Sequence, residues 1–192
     1  NYLTTDGGST FSKLTAVGYC RGTVIDPVVD SDILLSITGA SGYFNNYIKR
    51  STNEGASWTQ VGGDGRPLSF IMFDAVDSNK VYTNWFKSTD KGLTWSSFAD
   101  TTKKIASVYK QGTHIYATTL SGSTLTLWRS ADGGATWTRN TVANPAVQYP
   151  EVQAISTDYY GQITVAPDNP DKIYIAQSSL GLWIINGVSG TL

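Results

Sequence analysis

Residues 88–95 read Ser-Thr-Asp-Lys-Gly-Leu-Thr-Trp, and three other segments of the chain repeat this pattern. They are residues 4–11 (Thr-Thr-Asp-Gly-Gly-Ser-Thr-Phe), 51–58 (Ser-Thr-Asn-Glu-Gly-Ala-Ser-Trp) and 130–137 (Ser-Ala-Asp-Gly-Gly-Ala-Thr-Trp). The Asp or Asn of each copy stands at position 6, 53, 90 or 132, so the pattern returns every 37 to 47 residues. A repeat of about 40 residues made of short strands predicts the blades of a β-propeller.

The residue types of this eight-residue pattern, which we call the repeat turn, predict a tight turn. An Asp or Asn side chain accepts hydrogen bonds from the main-chain N–H groups that follow it. The glycine two positions later supplies the backbone freedom that such a turn needs. The second hydroxyl can satisfy another polar group, and the aromatic is expected to fold back against the sheet as a plug.

The four repeat turns resemble the Asp-box, or bacterial neuraminidase repeat, of sialidases, xyloglucanase-type glycoside hydrolases, sortilin-like receptors and lectin-like propellers. In that family the box is a structural turn between the third and fourth strands of a blade, away from the active site. The segment 165–175 most resembles the blade hairpins of xyloglucanase-type hydrolases. The box occurs in enzymes and non-enzymes, so the resemblance implies a fold rather than one activity. It implies structural roles for Asp6, Asn53, Asp90, Asp132, Trp58, Trp95 and Trp137.

Two residues depart mildly from the family pattern. Asn53 stands where Asp is usual, and Phe11 where Trp is usual. Asn keeps an acceptor and Phe keeps an aromatic plug, so we expect all four turns to form.

Short runs of β-branched and aromatic residues surround the repeat turns, and Asp, Asn, Pro and Gly separate them, which is the hairpin signal. No segment shows a helical period over three turns. The sequence therefore predicts an all-β chain, a single propeller domain or propeller segment over residues 1–192, with four-stranded antiparallel blades. We expect four to five blades: full ones at 18–62, 67–100 and 103–142, and partial ones at 1–14 and 160–187.

The uneven blade count leaves two interpretations open. The ring closes within this chain, or the chain is part of a larger ring whose exposed strand edges favour self-association. In either case antiparallel strands place the repeat turns on one face. The second-to-third loops and the connections between blades lie on the opposite face, where we expect ligands.

Composition excludes several classes of function. The chain has 14 Lys and Arg against 15 Asp and Glu, without the basic cluster that nucleic acid requires. It has no apolar run near the roughly 18 residues of a membrane span. Charged residues make up 15%, and Gly, Tyr and Trp are numerous, which favours a secreted or cell-surface protein. A chain that starts at Asn1 is expected to be a mature or trimmed product.

Metal, cofactor and triad chemistry find no support in the sequence. Cys20 and His114 are the single residues of their types, which disfavours cysteine-cluster metal sites, disulfides, histidine metal clusters and a Ser-His-Asp triad. No phosphate-binding glycine motif occurs. We therefore expect neither a cofactor nor a metal.

Glycoside hydrolysis would need two carboxylates across a cleft. The candidates on the ligand face are Asp64, Asp100, Glu151 and Asp158. A sialidase would need three arginines around the sugar acid. Only Arg21 and Arg66 of the five arginines fall on that face.

Binding without catalysis needs only exposed aromatics with nearby amides and hydroxyls. The loop 42–47 has this composition. With Arg21 and Arg66, the candidate ligand-binding residues are Tyr43, Phe44, Asn45, Asn46, Tyr47, Trp85, Tyr149, Tyr159 and Tyr160. For Trp85, Tyr159 and Tyr160 the alternative role is packing within a blade.

The sequence as a whole favours a non-catalytic module that binds carbohydrate or a protein partner, or that serves assembly. The alternative is a glycoside hydrolase propeller, or a fragment of one, of the xyloglucanase or sialidase type.

Overall fold

The computed structural model describes residues 2–4, 6–13, 19–27, 34–39, 46–68, 70–109, 112–121, 124–139, 162–177 and 181–185. Within these ranges the chain forms seventeen β-strands and no helix. Every pair of neighbouring strands is antiparallel. The expectation of an all-β chain built from antiparallel sheets is confirmed.

The chain divides into two compact units, Asn1–Ser97 and Phe98–Leu192. The first unit holds three sheets: β1 (Tyr2–Leu3) and β2 (Ser12–Lys13); β3 (Tyr19–Ile25), β4 (Leu34–Gly39), β5 (Asn46–Ser51) and β6 (Thr59–Gly65); β7 (Ile71–Phe73), β8 (Val81–Thr83), β9 (Phe86–Ser88) and β10 (Ser96–Ser97). The second unit holds two: β11 (Lys104–Val108), β12 (Ile115–Ser121), β13 (Thr124–Ser130) and β14 (Thr138–Arg139); β15 (Gln162–Ala166), β16 (Asn169–Gln177) and β17 (Gly181–Ile185).

Each sheet is a meander whose strands pair in chain order. In the three four-stranded sheets the repeat turn joins the third strand to the fourth: β5 to β6, β9 to β10, and β13 to β14. In the two-stranded sheet the repeat turn at residues 4–11 joins β1 to β2.

The repeat turn around Asp90 shows the hydrogen bonds that hold all four. Asp90 Oδ1 accepts from the main-chain N–H of Thr94 (2.8 Å), and Oδ2 accepts from the Thr94 hydroxyl (2.5 Å). The Ser88 hydroxyl donates to Asp90 Oδ1 (2.7 Å) and accepts from the N–H of Gly92 (2.9 Å). One carboxylate and one hydroxyl therefore accept hydrogen bonds from three main-chain N–H groups of the turn and from the Thr94 hydroxyl.

The other three turns repeat this network. Asp6 accepts from the N–H and hydroxyl of Thr10, and Asp132 accepts from those of Thr136. Asn53 accepts from the Ser57 N–H (2.9 Å) and donates through Nδ2 to the Ser57 hydroxyl (2.9 Å). The Asn53 amide thus keeps both hydrogen bonds to Ser57, but it donates the bond to the hydroxyl instead of accepting it.

The hydroxyl bonds also change the acidity of the turn carboxylates. The Thr10 hydroxyl, followed by the Thr10 N–H, lowers the pKa of Asp6 to about 2. The Thr136 hydroxyl and N–H likewise hold the pKa of Asp132 well below its usual range. Both groups favour the ionised form because its oxygens accept these bonds.

Two successive residues of each repeat turn have positive φ. The first of them is Glu54 (54°) or Lys91 (57°) in two turns, and glycine in the others. The second is always glycine, and in two of the turns a neighbouring side chain lies too close to it for a Cβ. A Cβ on Gly92 would come within 2.6 Å of Leu35 Cδ1, and one on Gly134 within 2.9 Å of Phe98 Cδ1.

The core of the first unit lies between the sheets β3–β6 and β7–β10. Its buried members are Leu35, Ile48, Leu68, Ile71, Phe73, Val81 and Phe86. Trp95 packs against this core and against Gly62, where an added Cβ would lie 2.7 Å from the indole. Phe11 is 62% exposed, so the expectation that it forms a plug is wrong. The two strands that its turn joins, β1 and β2, are two residues long each and offer it little surface to cover.

Polar contacts link neighbouring sheets within each unit. In the first unit Lys91 Nζ pairs with the buried Asp26 carboxylate (3.1 Å), and the Lys91 carbonyl accepts from Arg50 Nε (3.1 Å). In the second unit Arg129 pairs with Asp171 (3.0 Å), and the Tyr116 hydroxyl donates to the Pro170 carbonyl. These contacts all involve residues in or beside turns at strand ends.

Adjacent glycines of one repeat turn should respond differently to the same substitution. Gly133→Ala adds a methyl group where no atom lies within 4 Å, at a position that Glu54 and Lys91 occupy in other turns. It should cost about 1 kcal/mol for the left-handed backbone. Gly134→Ala adds the clash with Phe98 and should cost about 3 kcal/mol. Urea unfolding of both variants measures the difference, and equal costs would contradict the close approach.

Asp132→Asn should change stability mainly in acid. The folded-state pKa of Asp132 lies below its ordinary value of 3.8, so its contribution is present above about pH 4 and is lost as pH falls further. Asparagine keeps the turn, as Asn53 does, but cannot be protonated in this range. Thermal unfolding from pH 7 to pH 2 should therefore show a shallower acid decline for Asp132→Asn. The exposed Asp168→Asn is the control and should decline like the parent.

Candidate functional site

The end of β6 that lies away from its repeat turn carries an irregularity that exposes Asp64. Asn46 pairs with Gly65 and Ile48 with Gly62, with register shifts on both sides of Ile48. Gly63 has a φ of 90°, and a Cβ there would lie 2.7 Å from the Asn46 carbonyl oxygen. Only glycine fits so close to the neighbouring backbone. The extra residue bends the strand end and turns the following residues toward the surface.

Arg66 connects this strand end to the next sheet. Its Nε donates to both oxygens of Asp64, at 2.8 and 3.1 Å. Its guanidinium carbon lies 5.1 Å from the ring centroid of Trp85 and 4.9 Å from that of Phe86. We call these four residues the Arg66 site. Cation–π contacts at partly exposed positions contribute about 0.5–1 kcal/mol each.

The turn between β8 and β9 places Trp85 in this site. The Thr83 hydroxyl accepts from the N–H groups of Trp85 (3.3 Å) and Phe86 (3.0 Å). Trp85 Nε1 donates to the Pro67 carbonyl (2.9 Å), which ties the indole to the segment that carries Arg66. This turn and the repeat turn at residues 88–95 lie at opposite ends of β9.

Arg66 keeps donors available at the surface. Its side chain is 33% exposed. Among the described residues, only Asp64 accepts a hydrogen bond from its side chain, and it does so through Nε. The two terminal nitrogens can therefore donate to a partner without breaking the ion pair.

The structure brings together three of the predicted site residues, Asp64, Arg66 and Trp85. Asn46 is buried at the start of β5, and Tyr47 is half-buried beside it. The backbone of Arg21 lies in β3, but its side chain lies outside the described part. The remaining candidates also lie outside the described residues: Tyr43, Phe44, Asn45, Tyr149, Glu151, Asp158, Tyr159 and Tyr160.

Asp100 belongs to the second unit and forms a local cluster of its own. It pairs with Lys103 and accepts from the Thr102 hydroxyl (2.5 Å) and N–H (3.0 Å). The Lys103 ammonium, followed by the Thr102 hydroxyl, lowers the pKa of Asp100 to about 2. A carboxyl that is ionised down to this pH does not serve as a general acid near neutrality.

The described ranges contain neither a candidate metal-binding cluster nor a candidate membrane-spanning helix. No three His, Cys, Asp or Glu residues there are grouped so that they could hold a metal ion. No helix in those ranges has the length and apolar character to cross a membrane. His114 lies edge-on to Tyr109 at 5.9 Å, and burial lowers its pKa.

Comparisons with known proteins identify the fold. No model of a known protein family matches the sequence, and no curated protein matches it significantly. Among the solved structures that are similar to this chain, two have a TM-score of 0.54. The GH74 xyloglucanase from Xanthomonas campestris is 18% identical, over 84% of this chain and 27% of that one. YCF48 from Cyanidioschyzon merolae is 17% identical, over 99% of this chain and 64% of that one.

These likenesses support a β-propeller fold. At this level of identity they show the fold alone. The chain spans less than two thirds of the length of either structure, 27% of the first and 64% of the second. YCF48 bound to D1 peptide is 16% identical over 97% of this chain and 72% of that one, with a TM-score of 0.34 that carries no argument.

The sequence patterns did not identify Phe86 as the second ring beneath Arg66. Phe86 is 8% exposed and belongs to the core, so nothing in its local sequence marks it as part of a surface site. The glycines at 62, 63 and 65 were a usable signal for a bent strand end.

Trp85 should stabilise the first unit through both its ring and its N–H. Trp85→Phe keeps a ring beneath Arg66 but removes the hydrogen bond to Pro67, and should lower the free energy of unfolding by about 1 kcal/mol. Trp85→Ala also removes the ring and should cost about 3 kcal/mol. Urea denaturation measures both, and equal effects of Phe and Ala would contradict a contribution from the ring.

Proposed function

We propose that this chain is a propeller module that binds a protein partner without catalysing a reaction, and that the Arg66 site is part of the binding surface. The observation that carries this proposal is the state of Arg66. Two rings and one carboxylate hold its guanidinium in place, while its terminal nitrogens remain available. Rigid Arg and Trp side chains are enriched among the residues that dominate protein interfaces.

The geometry favours a protein partner over carbohydrate at this site. A sugar stacks on an open aromatic face, but Arg66 already covers one face of Trp85. Guanidinium donors match the main-chain carbonyls and polar side chains that a protein or peptide segment presents. Because Arg66 is already ordered by its rings, little side-chain entropy is lost when it binds.

Two described carboxylates argue against the hydrolase alternative. Asp64 is paired with Arg66, and Asp100 is paired with Lys103. A hydrolase needs one carboxyl that can give up a proton and a second one across a cleft. The remaining candidates for that chemistry, Glu151 and Asp158, lie outside the described residues.

Three finer assignments belong to the same proposal. The repeat turns are Asp-boxes, which the shared carboxylate–hydroxyl network supports. The sheets are blades of a propeller, which the two structural likenesses support. The protein is secreted or exposed on a cell surface, which the 15% content of charged residues supports.

A displayed library of 12-residue peptides, with a glycan array beside it, tests the binding function. Peptides selected on the 192-residue chain should bind it, and Arg66→Ala should weaken them about 30-fold, the effect of a typical interface anchor. Lys80→Ala is the matched control, since Lys80 is an exposed cation at the opposite end of the same sheet. Its affinity should stay within about twofold of the parent.

Three results would overturn the proposal. The selected peptides could bind Arg66→Ala as tightly as the parent. The chain could instead bind glycans in a manner that Arg66→Ala abolishes. The release of reducing ends from xyloglucan by the purified chain would establish catalysis.

A further inference from the structure

Lys103 makes a contact in the second unit that resembles the Arg66 site. Its Nζ lies 4.5 Å from the ring centroid of Trp128 and pairs with the carboxylate of Asp100. Asp100 is fixed in turn by the N–H and hydroxyl of Thr102. A cation therefore lies between an aspartate and an indole, as Arg66 does in the first unit.

The two cations occupy the same place in the repeat, whereas their aspartate and tryptophan partners are shifted by one position. Arg66 follows the acceptor Asn53 by 13 residues, and Lys103 follows the acceptor Asp90 by 13 residues. Each cation lies in the segment that leads into the first strand of a four-stranded sheet. Each indole belongs to the third strand of that same sheet or to the residue just before it: Trp128 in β13, and Trp85 ahead of β9.

We propose that Lys103 is a positioning residue that fixes the start of β11 against β13, and that Arg66 is the same element of the repeat at the start of β7. We call this element the cation clamp: an aspartate, a cation two or three residues later, and a tryptophan in the third strand or directly before it. The ion pair limits where the cation can point, and the ring face holds it there. The leading segment of each sheet is thereby aligned with a strand that is not its hydrogen-bonded neighbour.

The two clamps differ in exposure, and this difference separates their roles. The Lys103 side chain is 11% exposed, whereas that of Arg66 is 33% exposed. Lysine has one nitrogen, and in Lys103 it serves both the ring and Asp100. Arg66 pairs with Asp64 through Nε and contacts the rings through the plane of its guanidinium group. This leaves its terminal nitrogens free for a partner. This part of the inference rests on the proposed function.

Substitutions at Lys103 test the clamp in the intact 192-residue chain. Lys103→Met keeps an unbranched apolar side chain but removes the charge, and should lower the thermal midpoint by about 3 °C or more. Lys103→Arg should restore most of the loss, which a purely space-filling role would not explain. Side-chain methylene resonances of Lys103 should be shifted upfield by the ring, and Trp128→Leu should abolish that shift.

The Asp100 carboxyl gives an independent readout. In Lys103→Met its pKa, measured by carboxyl NMR, should rise from about 2 toward its ordinary value of 3.8. Unshifted Lys103 methylenes in the parent, or an equal loss of stability in Lys103→Arg and Lys103→Met, would overturn the clamp. Lys80→Met, at an exposed ion pair, is the matched control and should leave the midpoint unchanged.

Arg66→Lys distinguishes failure of the clamp from failure of the binding function. Lysine can hold the ring and Asp64, as Lys103 does with its partners, but has no spare nitrogens. The variant should keep the thermal midpoint and lose peptide binding about 10-fold or more. A lower thermal midpoint for Arg66→Lys than for the parent would overturn the clamp. Unchanged affinity with an unchanged midpoint would overturn the role of the terminal nitrogens and leave the clamp standing.

Discussion

This structure depends on one interaction, in which a side chain accepts a hydrogen bond from the main-chain N–H four residues later. Asp6, Asn53, Asp90 and Asp132 each hold the N–H and the hydroxyl of the residue four positions on. This fixes how the chain leaves one strand and begins the next. Glycine at the tightest point lets the turn lie close to a neighbouring side chain, as Gly92 does at Leu35. The turn therefore determines both the hairpin and its packing.

A turn that is held so firmly leaves the other end of each strand free to vary. In β6 that end carries the bulge at Gly63, and the ion pair of Asp64 and Arg66 follows directly. The aromatic residues beneath Arg66 come from the corresponding end of the next sheet. The repeat turns and the Arg66 site thus lie at opposite ends of the strands.

The fold could be predicted from the sequence because its decisive contacts are local. The acceptor, glycine and hydroxyl of residues 88–95 act on one another within eight positions, so their spacing alone indicates the turn. Phe11 was predicted wrongly, since the burial of a plug depends on strands that its own turn does not specify. Arg66 and Trp85 were both assigned to the ligand face, but their stacking joins residues 19 positions apart. The contact of Lys103 with Trp128 was missed for the same reason.

The hydrogen bonds of each repeat turn join residues no more than four positions apart. Closing so short a loop takes well under a microsecond, whereas pairing distant strands is slower and costs more chain entropy. The turns are therefore able to form while the rest of the chain is still extended. We expect each one to bring together first the two strands that it joins.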